Sequence, residues 1–293
     1  MLPVLVSAIM LAQVVPSPAS AQESGIAIDT LTLASRRLGR PRMVRVFLPP
    51  GYAQSQSSYP VLYANDGQDM EAVLLRTTLA RLYAAGEIEP VVVVAIHATD
   101  ARIREYGTAG TPNAQGYGRE ASAYSRVVLE ELMPIIERRY RVRKDAAHTA
   151  IIGWSLGGLS AFDIAWRHSD RFSAVGVFSG SFWWRTDDSS PMAKQASRIM
   201  HRAVRETRGH PKIRMWFEAG RRDETEDRDG NGVIDAIQDT GDLIAELTAK
   251  GYRLDEDIVF VEAEGGHNRE TWAGVLPQFL LWAYKRDTLN VKR

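Results

Sequence analysis

The sequence predicts an α/β fold, a doubly wound and mainly parallel sheet with helices on both faces. Three observations carry that expectation. Short runs rich in Val, Ile and aromatics each end in Gly, Asn, Asp or Ser, as strands buried on both faces do. Stretches with helical spacing of apolar residues separate those runs. No internal repeat or low-complexity linker interrupts the alternation, so 22–293 reads as one domain.

Taken in order, "IAIDTLTLAS" and "MVRVFLPP" alternate apolar and polar residues, as strands with one solvated face do. The runs "YPVLYANDG", "VVVVAIHA", "HTAIIGW", "FSAVGVFSG", "IRMWFEAG" and "EDIVFVEAEGG" supply six further strands. Helices are expected over about 71–85, 119–139, 156–168, 191–207, 239–250 and 269–285. In the second of these, Val127, Val128, Leu129, Leu132, Ile135 and Ile136 recur near helical spacing, and Pro134 should bend the helix or mark one of its turns. Sites in such sheets form beyond the carboxyl ends of the strands.

Charge balances, with 36 Lys and Arg against 36 Asp and Glu, so no polybasic surface points to nucleic acid or anionic lipid. The chain has no cysteine. Disulfides, thiolate metal sites and a cysteine nucleophile are excluded together. Residues 1–21 read as a cleaved export signal: an apolar run from Leu2 to Val15, then Pro16, Pro18 and the small-residue stretch Ala19-Ser20-Ala21. That run is short for a membrane span, and no later segment is long and apolar enough. A periplasmic or secreted location follows as the expectation.

Within "IIGWSLGGLSAF", Ser155 stands between a strand and a helix, the context of a nucleophile elbow. Gly153 and Gly157 leave room for a sharp turn, and Gly158 lets the helix approach the sheet. The hydroxyl needs a base. Of six histidines, His267 follows the last strand, after two glycines and before a helix. His97 also ends a strand, while His148, His168, His201 and His210 read as surface residues. The acid is expected after "IRMWFEAG", at Asp223, with Glu218 and Glu224 as the other candidates. The N–H of Leu156, following the nucleophile, and that of Gln68, in the loop after "YPVLYA", would form an oxyanion hole.

The segments "YPVLYANDGQ", "GWSLGGLSAF", "FSGSFWW", "FEAGRRDE" and "GGHNRETW" together resemble the esterase-D-like "Putative esterase" family of α/β-hydrolases. That group includes siderophore esterases, feruloyl esterases, S-formylglutathione hydrolases and mycolyltransferases. The resemblance is strongest to the siderophore-esterase and feruloyl-esterase branch and covers nearly all of 22–293. It implies the triad Ser155, Asp223 and His267, the oxyanion donors Gln68 and Leu156, and a pocket walled by Trp183 and Trp184.

In "DRDGNGVIDAIQD", Asp227, Asp229, Asn231 and Asp235 fall at positions 1, 3, 5 and 9 of an EF-hand-like loop, with Gly232 at the sharp turn and the Val233 carbonyl at position 7. Gln238 stands where the bidentate Glu would be. A structural calcium ion is expected there, and no cofactor for the chemistry. The function expected is a serine carboxylic-ester hydrolase working through an acyl-enzyme on a small-molecule or polysaccharide-linked ester. The alternatives are an acyltransferase with the same triad and a non-catalytic binding module on a hydrolase scaffold. The segment 99–120 is expected over the site, bringing Arg102, Arg104 or Arg119 to an anionic substrate.

Overall fold

The computed structural model describes residues 25–286; the segment assigned to export, 1–21, lies outside them. The chain opens with a hairpin of β1 (Ala27–Ala34) and β2 (Pro41–Leu48), followed by β3 (Val61–Ala64), α1 (Leu75–Ala84) and β4 (Val92–Ile96). A short helix, α2 (Arg102–Glu105), precedes α3 (Ala121–Arg126) and α4 (Met133–Arg139). Next come β5 (Thr149–Trp154), α5 (Leu156–Arg167), β6 (Ala174–Phe178), α6 (Pro191–Ala196) and α7 (Ile199–Glu206). The chain closes with β7 (Arg214–Arg222), α8 (Asp235–Ala249), β8 (Ile258–Gly266) and α9 (Arg269–Tyr284).

The eight strands form one sheet in the order β1-β2-β4-β3-β5-β6-β7-β8. The pairings of β1 with β2 and β2 with β4 are antiparallel, and the rest are parallel. This is the doubly wound arrangement expected, with an antiparallel hairpin on one edge. Every residue of β3, β4, β5 and β6 is buried, which is why these strands read as apolar runs without alternation.

Successive strand residues feed two cores. Tyr63, Val94, Ile151 and Val177 join one with Leu159 and Phe162 of α5, Val204 of α7 and Leu243 of α8. Leu62, Val93, Ile152 and Phe178 join the other with Leu79 of α1 and Leu276, Phe279 and Leu280 of α9. Each buried Leu, Ile or Phe side chain contributes about 1.5–3 kcal/mol of transfer free energy.

Two helical expectations change in detail. The stretch 121–139 is not one α-helix: Val127–Leu132 widens into a π-helical segment, and α4 restarts with Pro134 in its first turn. Pro134 has no N–H, and the wider turn accommodates its ring and the carbonyls it leaves unpaired. The stretch 191–207 divides into α6 and α7 because Arg198 is extended, its guanidinium bound to Asp239 and Asp242 of α8.

Glycine is required where β5 turns into α5. A Cβ on Gly153 would lie 2.2 Å from the Gly157 carbonyl oxygen. By contrast, Gly274 lies exposed within α9 with nothing within 4 Å of a Cβ. Gly274→Ala should therefore raise stability by about 1 kcal/mol through helix propensity, and Gly153→Ala should lower it by several times that. Thermal unfolding of both variants checks the pair; equal melting temperatures would contradict the packing described.

Candidate active site

Ser155 sits at the tip of the β5–α5 turn with φ +57° and ψ −130°, a conformation costing an L residue about 1–3 kcal/mol. The surroundings hold it there. Its amide donates to the Phe178 carbonyl at 2.8 Å, and its own carbonyl accepts from Gly158, Leu159 and Ser181 at 3.0, 3.2 and 3.2 Å. On the other side of the turn, a Cβ on Gly157 would stand 2.4 Å from Asp66 Oδ2. The strain presents the hydroxyl, half-buried, to a cavity of about 610 Å³.

His267 lines the same cavity. It stands between β8 and α9, where Asn268 caps the helix by accepting from the Thr271 amide at 3.0 Å. Asp223 follows β7, whose pairing with β8 shifts register between Gly220 and Arg222. That irregularity re-aims the chain, and its Oδ2 comes to 3.8 Å from His267 Nδ1. Both oxygens of Asp223 are buried and lack a hydrogen-bond partner. The structure thus brings Ser155, His267 and Asp223 to one end of the sheet.

Neither other acid occupies that position. Glu218 remains in β7, where its Oε2 accepts from the Ser179 amide at 3.1 Å. Burial, then the charge of Asp223, pushes its pKa up to about 8. Glu224 is held by the Ala236 amide among Asp235, Glu226 and Asp239, and burial lifts it to about 7.

Gln68 lies in a short 3-10 turn, Gly67–Asp69, after β3. Its side chain bridges the Ala98 amide, which donates to Oε1 at 3.0 Å, and Asp66, which accepts from Nε2 at 3.2 Å. Leu156 opens α5, where the first N–H groups of a helix have no acceptor within the helix. Gly67 has no room for a side chain, since a Cβ would lie 2.6 Å from the Ala95 backbone.

The two tryptophans do not wall this cavity. Trp184 is fully buried in the core, against Gly107 and Gly118. Trp183 is 38% exposed and stacks near Arg185; neither lines the space in front of Ser155. The indoles that do are Trp154 and Trp272, stacked at 5.8 Å, with Trp272 edge-on to His267 at 5.4 Å.

Of the three arginines in the 99–120 segment, Arg102 lines the cavity. Its guanidinium donates through two nitrogens to Asp66, both at 2.7 Å. Arg104 instead pairs with Glu120 and Arg119 donates to the Gly116 carbonyl. Arg269, which sequence reasoning missed, also lines the cavity and pairs with Asp69, the partner of Trp154 Nε1. Among the other histidines, His97 is absent from the lining, and burial followed by Arg45 lowers its pKa. His201 is not a surface residue: it is 3% exposed, with Nε2 at 2.8 Å from the Asp239 carbonyl.

In the acidic loop, Asp227 accepts from the Asn231 and Gly232 amides and Asn231 from the Val233 amide. Asp229 holds Gln238, and Asp235 pairs with the nearly buried Arg228. Among the described residues no three acidic or histidine side chains gather as a ready metal cage. The exiting helix, α8, begins at Asp235, position 9 of the loop.

An eight-stranded, mainly parallel sheet with a strained serine after a central strand and a histidine after the last defines an α/β-hydrolase-type protein. Residues 35–283 match the family model described as "Putative esterase", and the chain belongs to that family; its class is carboxylic ester hydrolase. It is 21% identical over 269 residues to the uncharacterized protein YbbA of Bacillus subtilis, covering 87% of this chain and 97% of that protein. It is 24% identical to the iron(III) enterobactin esterase of Dickeya dadantii, over 89% of this chain and 55% of the relative. It is 26% identical to an endo-1,4-beta-xylanase/feruloyl esterase of Xylanibacter ruminicola, over 57% of this chain and 23% of the relative. Among solved structures, a ferulic acid esterase superposes with a TM-score of 0.68 at 24% identity, covering 88% of this chain and 98% of that one. The enterobactin esterase of Shigella flexneri gives 0.71 at 23%, covering 88% and 58%.

The two raised carboxyls predict a pH dependence of stability. Folded Glu218 and Glu224 keep their protons up to about 8 and 7, whereas unfolded glutamate loses its proton near ~4.3. The folded state therefore binds more protons through that window, and stability falls as pH rises from about 5 to 9. In Glu218→Gln/Glu224→Gln the fall in melting temperature over that range should be at least about 3 °C smaller than in the wild type. Parallel pH curves for the two proteins would contradict the burial assigned to these carboxyls.

Proposed function

We propose that this protein hydrolyses a carboxylic ester through an acyl-enzyme, with Ser155 as nucleophile, His267 as base and Asp223 as the triad acid. The observation that carries the reading is the strained turn at Ser155 opening into the cavity that His267 also lines, with Asp223 behind the imidazole. Ser155 Oγ attacks the ester carbonyl and His267 takes its proton. The tetrahedral oxyanion takes hydrogen bonds from the Gln68 and Leu156 N–H groups, each worth about 3 kcal/mol of barrier. His267 protonates the departing alcohol, then activates the water that frees the acid. Asp223 keeps its charge throughout and stabilises the imidazolium. The hydrogen bonds around the strained turn keep the nucleophile in place before substrate arrives.

The cavity is lined by Arg102 and Arg269 as well as Asp66, Asp69 and Glu270, so the substrate carries polar groups beside its ester. Relatives named for feruloyl and enterobactin esters make an aryl acyl ester or a serine-lactone type ester the substrates to try. The export-like stretch 1–21 supports an extracytoplasmic setting.

A fluorophosphonate probe should label the wild type at Ser155 and leave Ser155→Ala unlabelled. Turnover of any ester accepted should fall by about 10⁶-fold in Ser155→Ala with the melting curve unchanged. A variant retaining a tenth of the activity would overturn the assignment.

We propose separately that calcium occupies the 227–235 loop, on Asp227, Asp229, Asn231 and the Val233 carbonyl, with Asp235 at position 9. The amide bonds within the loop already impose its turn, and α8 leaves it at the right position. At an affinity of about 10⁻⁴ M, 1 mM calcium would add roughly 1.4 kcal/mol and about 3–5 °C of melting temperature. A melting curve indifferent to 0.1–10 mM calcium would leave a turn closed by its own hydrogen bonds and by Arg228.

A further inference from the structure

Glu218 is a buried acid that the proposed chemistry does not use. It is 1% exposed, on β7 between β6 and β8. Oε2 is met by the Ser179 amide at 3.1 Å and lies 3.4 Å from Ser179 Oγ. Oε1 is buried and has no partner. Asp223, five residues on, has two buried oxygens in the same condition.

Two ionised carboxyls in one desolvated place would repel each other with three oxygens short of a donor. A single proton removes the conflict. Ser179 already supplies Oε2, so the proton belongs on Oε1, which then becomes a donor while Asp223 offers acceptors. Around Glu218, the loop after β7 brings Asp223, the end of β6 brings Ser179, and the partner on β8 is Val261, which does not ionise. Among the described residues no cation pairs with Glu218.

Ser179 also links this acid to the base. It has φ +46°, and its Oγ accepts from Trp272 Nε1 at 2.8 Å. The Trp272 ring stands edge-on to His267. Asp223 Oδ1 would stand 2.4 Å from a Cβ on Gly220, which shares a face of β7 with Glu218 two residues earlier, so Glu218 is linked to the proposed triad from two sides, along that face and through the indole beside the imidazole.

We propose that Glu218 is a positioning residue, a carboxylic acid whose Oε1–H holds the Asp223 carboxylate toward His267. The inference rests on the reading of Asp223 and His267 as acid and base. Loss of the Glu218 proton removes the donor and sets a second negative charge beside Asp223, so turnover falls on the alkaline side. Burial sets that loss at about pH 8.

The test is kcat and KM from pH 5.5 to 10 for the wild type, Glu218→Gln and Glu218→Met, each normalised to the fraction of Ser155 labelled by fluorophosphonate. The wild type should lose kcat with one proton released near pH 8. Gln supplies an N–H that does not ionise in this range, so it should rescue kcat to within about threefold at pH 7 and remove the alkaline fall. Met, which cannot donate, should lower kcat about tenfold at pH 7 with KM little changed. An alkaline fall that persists unchanged in Glu218→Gln, or a Glu218→Met enzyme with full kcat, would overturn the inference. Absence of Ser155 labelling in the wild type would instead sink the reading beneath it, and the inference with it.

Discussion

A Cβ on Gly153 would stand 2.2 Å from the Gly157 carbonyl oxygen, and one on Gly158 would stand 2.9 Å from the Gly153 oxygen and from Val177 Cγ1. No side chain fits between the end of β5 and the start of α5. This contact draws the helix so close to the sheet that Ser155 has to take a positive φ, and its strain is held by the hydrogen bond that its N–H donates to the Phe178 carbonyl. The same approach brings the first turn of α5 against the loop after β3. Asn65 Nδ2 donates to the Gly157 carbonyl at 2.8 Å, and its Oδ1 accepts from Tyr124 at 2.6 Å. Gln68 and Leu156, from segments 88 residues apart, are thus fixed on neighbouring elements by backbone geometry.

Around that turn, charge is kept in place by pairing and by burial. Arg102 clamps Asp66 and Arg269 holds Asp69, so two acids line the cavity beside Ser155 with their charge offset. Glu218 and Asp223 stand apart from those pairs, Glu218 against Ser179 and Asp223 beside His267. Asp223 keeps both carboxyl oxygens out of solvent, with Oδ2 3.8 Å from His267 Nδ1.

Much of this was legible in the sequence because it depends on local pattern. Fully buried strands leave apolar runs, and a strand–Gly-x-Ser-x-Gly–helix order leaves a recognisable elbow. The sequence also placed Asp223 and His267 correctly after their strands. What it did not reveal depends on partners distant in the chain. Nothing local marks Arg269 as the partner of Asp69, 200 residues away, or Trp272 as the ring beside His267. Trp183 and Trp184 looked alike as neighbours in a loop, but Trp184 turns into the core against two glycines from the 107–118 loop. His201 resembled a surface residue because Arg and Glu surround it in α7, yet it faces α8. The division of 191–207 likewise follows from Arg198 reaching two acids on α8.

The proposed oxyanion site joins the Ser155 turn to the loop after β3 as one preorganised unit. A crystal structure of the protein carrying a phosphonate adduct tests it. A covalent bond to Ser155 Oγ is expected, with the phosphonyl oxygen about 2.7–3.1 Å from both the Gln68 and Leu156 amide nitrogens. An adduct on another residue, or a phosphonyl oxygen directed to solvent away from both amides, would contradict it.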